Sequence, residues 1–280
     1  MAGRIAVCVV YLVDEPYEFL FYKHLEQVRR CSEGFDIRIY AGVNRLAPKY
    51  LEHLRALDFV KLCELAPTLL RYSQEHAHYL DQLVPIALSD GATHIATLDV
   101  DSFPVDPNWV GRSQALLWNG AALVGALRAE WGDVAAPHPS YMFFAREFYD
   151  RFHPTFSLPS DPRGQAILRA TGQPRADTGA GYAMVLAEHQ LSWSKLLRSN
   201  KVNDHPLLGG VYGDMVFHFG GGSRDKVFAI DIAEAVRRRP GARKRDVVPE
   251  IAARNEQIAQ GMLREMTADF DGYLRRLLGK

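Results

Sequence analysis

Apolar residues run without a break through Ile5-Ala-Val-Cys-Val-Val10. A continuous, β-branched run of this length predicts a strand buried on both faces, as in a parallel sheet covered by helices. The period then changes. From Glu18 to Cys31 the apolar positions Phe19, Leu20, Tyr22, Leu25 and Val28 recur at helical spacing. Ile37 to Ala41 predicts a second strand closed by Gly42, Tyr50 to Leu57 a short helix, and Phe59 to Leu65 a third strand. Ser73 to Leu88 reads as a helix with Ser73 as its N-cap and Gly91 as its stop. Thr93 to Leu98 is a fourth strand that runs straight into Asp99-Val100-Asp101. Alternating strand and helix patterns predict a largely parallel sheet with helices on its faces.

The second half is less regular. Ala121 to Leu127 and Tyr141 to Phe144 read as strands, Phe156 to Pro174 as a loop holding a short helix from Arg163 to Ala170, and Gly179 to Gln190 as a helix. Asp214 to Phe219 is a late strand ending in Gly220-Gly-Gly222. From Ile232 the pattern is mainly helical, with a basic break from Arg237 to Arg245. Ile251, Ile258, Met262, Met266, Phe270, Leu274 and Leu277 then mark an apolar face. That face predicts packing either against the main domain or against a second subunit, the latter giving a homodimer through the C-terminal helices.

Composition narrows the function classes. The 280 residues carry 33 basic and 33 acidic side chains. With a pI near 7.2, bulk electrostatic binding of nucleic acid is not expected. Cys8, Cys31 and Cys63 are too few and too scattered for a disulfide framework or a zinc site, and read as buried thiols of a cytoplasmic protein. Ile5 to Val13 is short and followed by Asp14-Glu15, so it predicts a strand rather than a secretory signal, and no transmembrane segment is expected. The basic cluster predicts a solvated loop or a contact with an anionic partner.

The candidate chemistry begins at Leu98-Asp99-Val100-Asp101-Ser102. Alternation along an extended chain turns Asp99 and Asp101 to one side. Ligands of open parallel sheets bind at the carboxyl ends of the strands. Two acids there repel unless a cation lies between them, and hard divalent cations take oxygen ligands and bridge to phosphates. Val216-Phe-His218-Phe-Gly-Gly-Gly-Ser-Arg224 adds an imidazole suited to Mn2+, glycines that let the backbone approach a phosphate, and a guanidinium. Asp177, in Arg175-Ala-Asp177-Thr-Gly-Ala-Gly181, suits either a helix cap or a base that deprotonates a hydroxyl. His138 and Trp131 suit either the rim of a sugar or acceptor pocket or ordinary packing. Arg71, His76 and His78, with Asp81, favour a solvated helix start, although one of them could reach a ligand.

These pieces, in this order, resemble a metal-dependent glycosyltransferase of the GT-A fold, of bacterial type, over roughly residues 4 to 225. The resemblance implies a Rossmann-like mixed, mostly parallel α/β sheet. It implies a catalytic domain over 1–230, divided near residue 110 into nucleotide-binding and acceptor-binding halves, and a helical extension over 231–280. It makes Asp101 the metal ligand, with His218 and Asp99 beside it, and the cofactor Mn2+ or Mg2+. Asp99 also contacts the donor, Gly220, Gly221 and Arg224 face the diphosphate, and Tyr11 and Asp14 hold the nucleotide, Tyr11 by stacking on the base. Asp177 takes the place of the base used by inverting families. The Glu-Asp pair of many inverting enzymes is absent, since Thr178 follows Asp177, which leaves the stereochemical course open.

The implied activity is sugar transfer from a nucleotide-sugar donor, a UDP-sugar by preference, to a hydroxyl of a glycan or small-molecule acceptor. The alternatives are a sugar nucleotidyltransferase and a non-catalytic nucleotide-sugar or glycan-binding protein. The segment Tyr11-Leu-Val-Asp-Glu-Pro16 is acidic and lacks glycine, which argues against the first. Intact Asp99, Asp101 and His218 argue against the second. No G-x-G-x-x-G follows the first strand, which argues against a dehydrogenase.

Overall fold

The computed structural model describes residues 3–157, 161–173, 177–221, 226–239 and 243–280. The first half alternates as the sequence predicts: β1 (Ile5–Val10), α1 (Glu18–Arg30), β2 (Ile37–Gly42), α2 (Pro48–Arg55), β3 (Val60–Cys63), α3 (Ser73–Ser89) and β4 (His94–Leu98). After these come β5 (Ser102–Pro104), α4 (Trp109–Trp118), β6 (Val124–Ala126), β7 (His138–Ala145), α5 (Arg146–Phe152), α6 (Pro162–Ala170) and α7 (Ala180–Glu188). The chain ends with β8 (Ser194–Leu196), β9 (Gly210–Tyr212), β10 (Val216–His218), α8 (Ala229–Arg238), α9 (Lys244–Ala268) and α10 (Phe270–Leu278).

Seven strands form one sheet in the order β3-β2-β1-β4-β7-β6-β8. The β1–β2, β1–β4, β2–β3 and β6–β8 pairs are parallel, and β7 runs against both of its neighbours. This is the mixed, mostly parallel sheet flanked by helices that the sequence implies. Alternation along β1 explains its unbroken apolar run. Ile5, Val7 and Val9 enter a core on one face, with Phe21, Leu25 and Val28 of α1. Ala6, Cys8 and Val10 enter a second core on the other, with Leu80, Leu83 and Val84 of α3.

A smaller antiparallel sheet has the order β5-β10-β9. It shares a third core with the C-terminal helices, where Phe103 and Phe217 meet Met262, Met266, Phe270, Tyr273 and Leu277. The apolar face of α9 and α10 is thus largely covered by the chain itself. Among the described residues no helix is long and apolar enough to cross a membrane.

Several elements differ from expectation. Tyr72, not Ser73, precedes α3 as its N-cap, with φ 57° and no side-chain cap bond. The strand expected over 121–127 is confined to β6, whose register with β7 shifts at Gly125/Ala126. The strand expected over 214–219 shortens to β10 because Gly213 and Asp214 turn with positive φ. The basic segment is not one loop: Arg237 and Arg238 end α8, and Lys244 and Arg245 begin α9.

Candidate metal and donor site

Asp99 and Asp101 lie in the turn that carries the chain from β4, in the large sheet, to β5, in the small one. Ser102 locks that turn. Its Oγ accepts the Asp99 N–H at 2.8 Å and lies 2.6 Å from the Ser140 carbonyl on β7. The antiparallel register of β5 and β10 pairs Ser102 with His218, so His218 stands beside Asp101. The Phe219 N–H extends the ladder to the Asp101 carbonyl at 2.9 Å.

The result is a compact donor set. His218 Nε2 is 3.6 Å from Asp99 Oδ2 and 3.6 Å from Asp101 Oδ1, beyond hydrogen-bond length. One ligand atom from each of the three side chains falls within 4.8 Å of the others. The other Asp101 oxygen, Oδ2, accepts the Gly220 and Gly221 N–H groups at 3.2 Å each, leaving Oδ1 toward the imidazole. Two carboxylates and an imidazole suit Mn2+, and the carboxylates also suit Mg2+.

The three side chains form part of the wall of a cavity of about 420 Å³ at the C-terminal edge of β1 and β4. Asp14, His138, Asp177 and Gly221, all sequence candidates, also line it. His138 Nδ1 accepts the Ser140 N–H at 3.1 Å, and its ring stacks on His218 at 5.6 Å. Asp177 does not cap α7, because Gly179 does. Its Oδ1 accepts the Thr178 N–H at 2.8 Å, and its Oδ2 pairs with Arg128 at 3.1 Å.

Four expectations are corrected. Tyr11 does not reach the cavity. It is fully buried, edge-on to Phe21 and His24 at 5.6 and 5.7 Å, because the apolar run of β1 continues through it into the core. Trp131 is not on the wall either. It packs edge-on against Phe228 at 5.1 Å and under the Arg128 guanidinium at 5.4 Å. The amides of Gly220 and Gly221 bond to the Asp101 carboxylate, and of the two only Gly221 lines the cavity. His76, favoured as solvated, lines the cavity with its Nε2 3.5 Å from Asp99 Oδ1. Arg224 lies outside the described residues. Nor do the remaining polar candidates join the wall: exposed Arg71 donates to the Leu70 carbonyl, His78 bonds the Ala66 carbonyl, and Asp81 accepts from Phe156 N–H and Ser157 Oγ.

Sequence reasoning missed other members. Glu75, buried, takes both oxygens to Arg45 Nη1 at 3.1 and 2.8 Å, and both residues line the cavity. Arg128, also buried, bridges Asp133 and Asp177. His24 stands behind the turn that carries Asp99 and Asp101. Its Nδ1 donates to the Ser102 carbonyl at 2.7 Å, and burial depresses its pKa to about 4. Beyond the glycines, Lys226 Nζ is 3.1 Å from Glu256 of α9, and Asn255 donates to the Lys226 carbonyl at 2.8 Å. Helix α9 thereby holds the chain at Lys226. Apart from Arg128–Asp133, five residues apart, these contacts join residues far apart in the chain and leave no local sequence signal.

No protein-family model matches the chain, and no curated protein matches it in sequence. Among solved structures it is similar to the mannosyltransferase PcManGT from Pyrobaculum calidifontis, in complex with GDP-Man and Mn2+. That likeness has 12% identity, covers 67% of this chain and 70% of that one, and has a TM-score of 0.43. It is also similar to a candidate nucleotide-diphospho-sugar transferase from Desulfovibrio desulfuricans G20. Here identity is 9%, coverage is 93% of this chain and 98% of that one, and the TM-score is 0.46. At these values the chemistry must be read from this chain's own side chains.

Proposed function

We propose that this chain is a metal-dependent glycosyltransferase, moving a sugar from a nucleoside-diphosphate donor, a UDP-sugar by preference, to a hydroxyl of a glycan or small molecule. The observation that carries this reading is the convergence of Asp99, Asp101 and His218 on the wall of one cavity at the carboxyl edge of the sheet. A cavity of about 420 Å³ is of the size that holds a small ligand or cofactor.

In this reading Asp99, Asp101 and His218 would hold Mn2+ or Mg2+, which would supply positive charge for a departing diphosphate. The protein's part is to fix that charge in place. The Gly220 and Gly221 amides orient Asp101, and Ser102 orients Asp99. Asp14, with the Arg45–Glu75 pair, supplies polar edges for the nucleoside. Asp177 and His138 stand where sugar hydroxyls would be bound. The bond from sugar C1 to the diphosphate oxygen breaks with its electron pair leaving on the diphosphate, and a bond from C1 to the acceptor oxygen forms. Asp177 is the wall carboxylate that would take the proton of the acceptor hydroxyl as the C1–oxygen bond forms. Preorganised charge of this kind typically accounts for about 2.7–4 kcal/mol of barrier per donor removed.

The deciding experiment is calorimetric titration of UDP, then GDP and dTDP, with and without Mn2+, on the wild type and on Asp101→Ala. Binding that requires both the metal and Asp101 supports the donor site. Failure of all three nucleotides under every metal condition removes it.

A further inference from the structure

Tyr72 is an exception among the tyrosines. It sits at φ 57° and ψ −131°, a region that residues with side chains avoid unless the surroundings impose it and that clusters at functional sites. Its carbonyl accepts the His76 N–H at 3.0 Å, and the next carbonyl, of Ser73, accepts Thr178 Oγ1 at 2.9 Å. The bend is thus tied to the two residues nearest the chemistry on either side, His76 beside Asp99 and Thr178 beside Asp177. It leaves the Tyr72 side chain 88% exposed yet on the cavity wall. Among the described residues lining the cavity, Tyr72 carries the only aromatic ring that is not an imidazole. The tyrosine expected to stack, Tyr11, is sealed in the core.

We propose that Tyr72 is the ring platform of this cavity, stacking on a ring of the bound nucleotide sugar. This rests on the donor-site reading and adds a binding residue to it. A base and a hexose share the chemistry that Tyr72 would recognise, a flat face presented to a π surface. The first turn of α3 then presents three functions in succession. Tyr72 supplies a face, Glu75 with Arg45 a polar edge, and His76 a contact to the metal-site carboxylate. An exposed ring has no packing role to lose, so its substitution tests binding rather than folding.

The test is calorimetric titration in Mn2+ of wild type, Tyr72→Ala and Tyr72→Phe. The probes are UDP, GDP and dTDP, UDP-glucose and GDP-mannose, and inorganic pyrophosphate, which has no ring. Loss of base–aromatic stacking weakens binding by roughly 5- to 150-fold. Tyr72→Ala is expected to raise the Kd of the preferred ring-bearing probe within that range, with Tyr72→Phe and all pyrophosphate titrations within about twofold of wild type. A loss already present with the nucleoside diphosphate identifies the base as the stacked ring. A loss confined to the nucleotide sugar identifies the hexose. Unchanged affinity of Tyr72→Ala for every ring-bearing probe, or an equal loss for pyrophosphate, overturns the proposal. Wild-type protein that binds no nucleotide overturns the donor-site reading itself, and this inference with it.

Discussion

His76 Nε2 lies 3.5 Å from Asp99 Oδ1, while the other oxygen of Asp99 faces His218 at 3.6 Å. Asp99 therefore faces an imidazole on each side, His76 from α3 and His218 from β10. Groups that orient a metal ligand typically contribute about 10- to 100-fold in metal affinity. His76→Ala is expected to weaken Mn2+ binding by about tenfold, read by the free-Mn2+ EPR signal without nucleotide, and His76→Gln, which keeps a donor, to recover most of it. Equal affinity in all three proteins would show that Asp99 is positioned without His76.

Arg128 joins the cavity to the interior through Asp133 and Asp177. Removing one partner of a buried pair leaves an uncompensated charge and typically costs about 3–5 kcal/mol. Asp177 is 35% exposed, so water recovers part of that. Arg128→Met is expected to cost about 3 kcal/mol in urea unfolding. Asp177→Asn retains a polar acceptor and should cost well under about 1 kcal/mol, yet abolish most transfer. If both variants were equally destabilised, Asp177 would be a structural partner of Arg128 rather than a ligand group.

Much of the first half could be read from the sequence because buried strands and amphipathic helices leave long signals. The run Ile5–Val10 and the spacing from Phe19 to Val28 each span a whole element. The strands that build the small sheet are three residues each, too short to show a period. The Asp99–Asp101 pair and His218 announced themselves by chemistry, but only the Ser102–His218 register brings them together. Tyr11 fails as a stacking residue because it directly prolongs the buried apolar run of β1. Arg45–Glu75 and Arg128–Asp177 are contacts across 30 and 49 residues, and pairs at that distance leave no mark in one sequence.

Adjacent glycines of the turn should respond differently. Gly220 has φ 85°, and a Cβ there would lie 3.0 Å from the Leu207 carbonyl. Gly221 has no positive φ, and its Cβ would meet Leu208 at an ordinary 3.5 Å. The left-handed conformation costs a side-chain-bearing residue roughly 1–2 kcal/mol. Gly220→Ala is expected to lower Tm by several degrees and to weaken Mn2+ binding, because the Gly220 N–H holds Asp101. Gly221→Ala, which keeps its N–H on Asp101, should leave both Tm and Mn2+ binding nearly unchanged. Equal Tm values for the two variants would mean that the turn relaxes without cost.

The neutral imidazole of His24 makes stability depend on pH. Its Nδ1–H is committed to the Ser102 carbonyl, and burial lowers its pKa from 6.5 to about 4. Between those values the unfolded chain binds a proton that the folded chain refuses, and stability rises with pH wherever the unfolded state binds more protons. The His24 contribution is therefore complete above about pH 6.5 and is lost as pH falls toward 4. At about 1.36 kcal/mol per pKa unit, the loss is about 3 kcal/mol at most. Carboxylates titrate in the lower part of the same window, so the measurement is a comparison. Urea unfolding of wild type and His24→Gln at pH 7.5, 6, 5 and 4.5 should show a smaller loss in the variant, which has no imidazole to protonate. Parallel curves for the two proteins would mean that His24 titrates alike in both states, and that the site behind Asp101 is open to water.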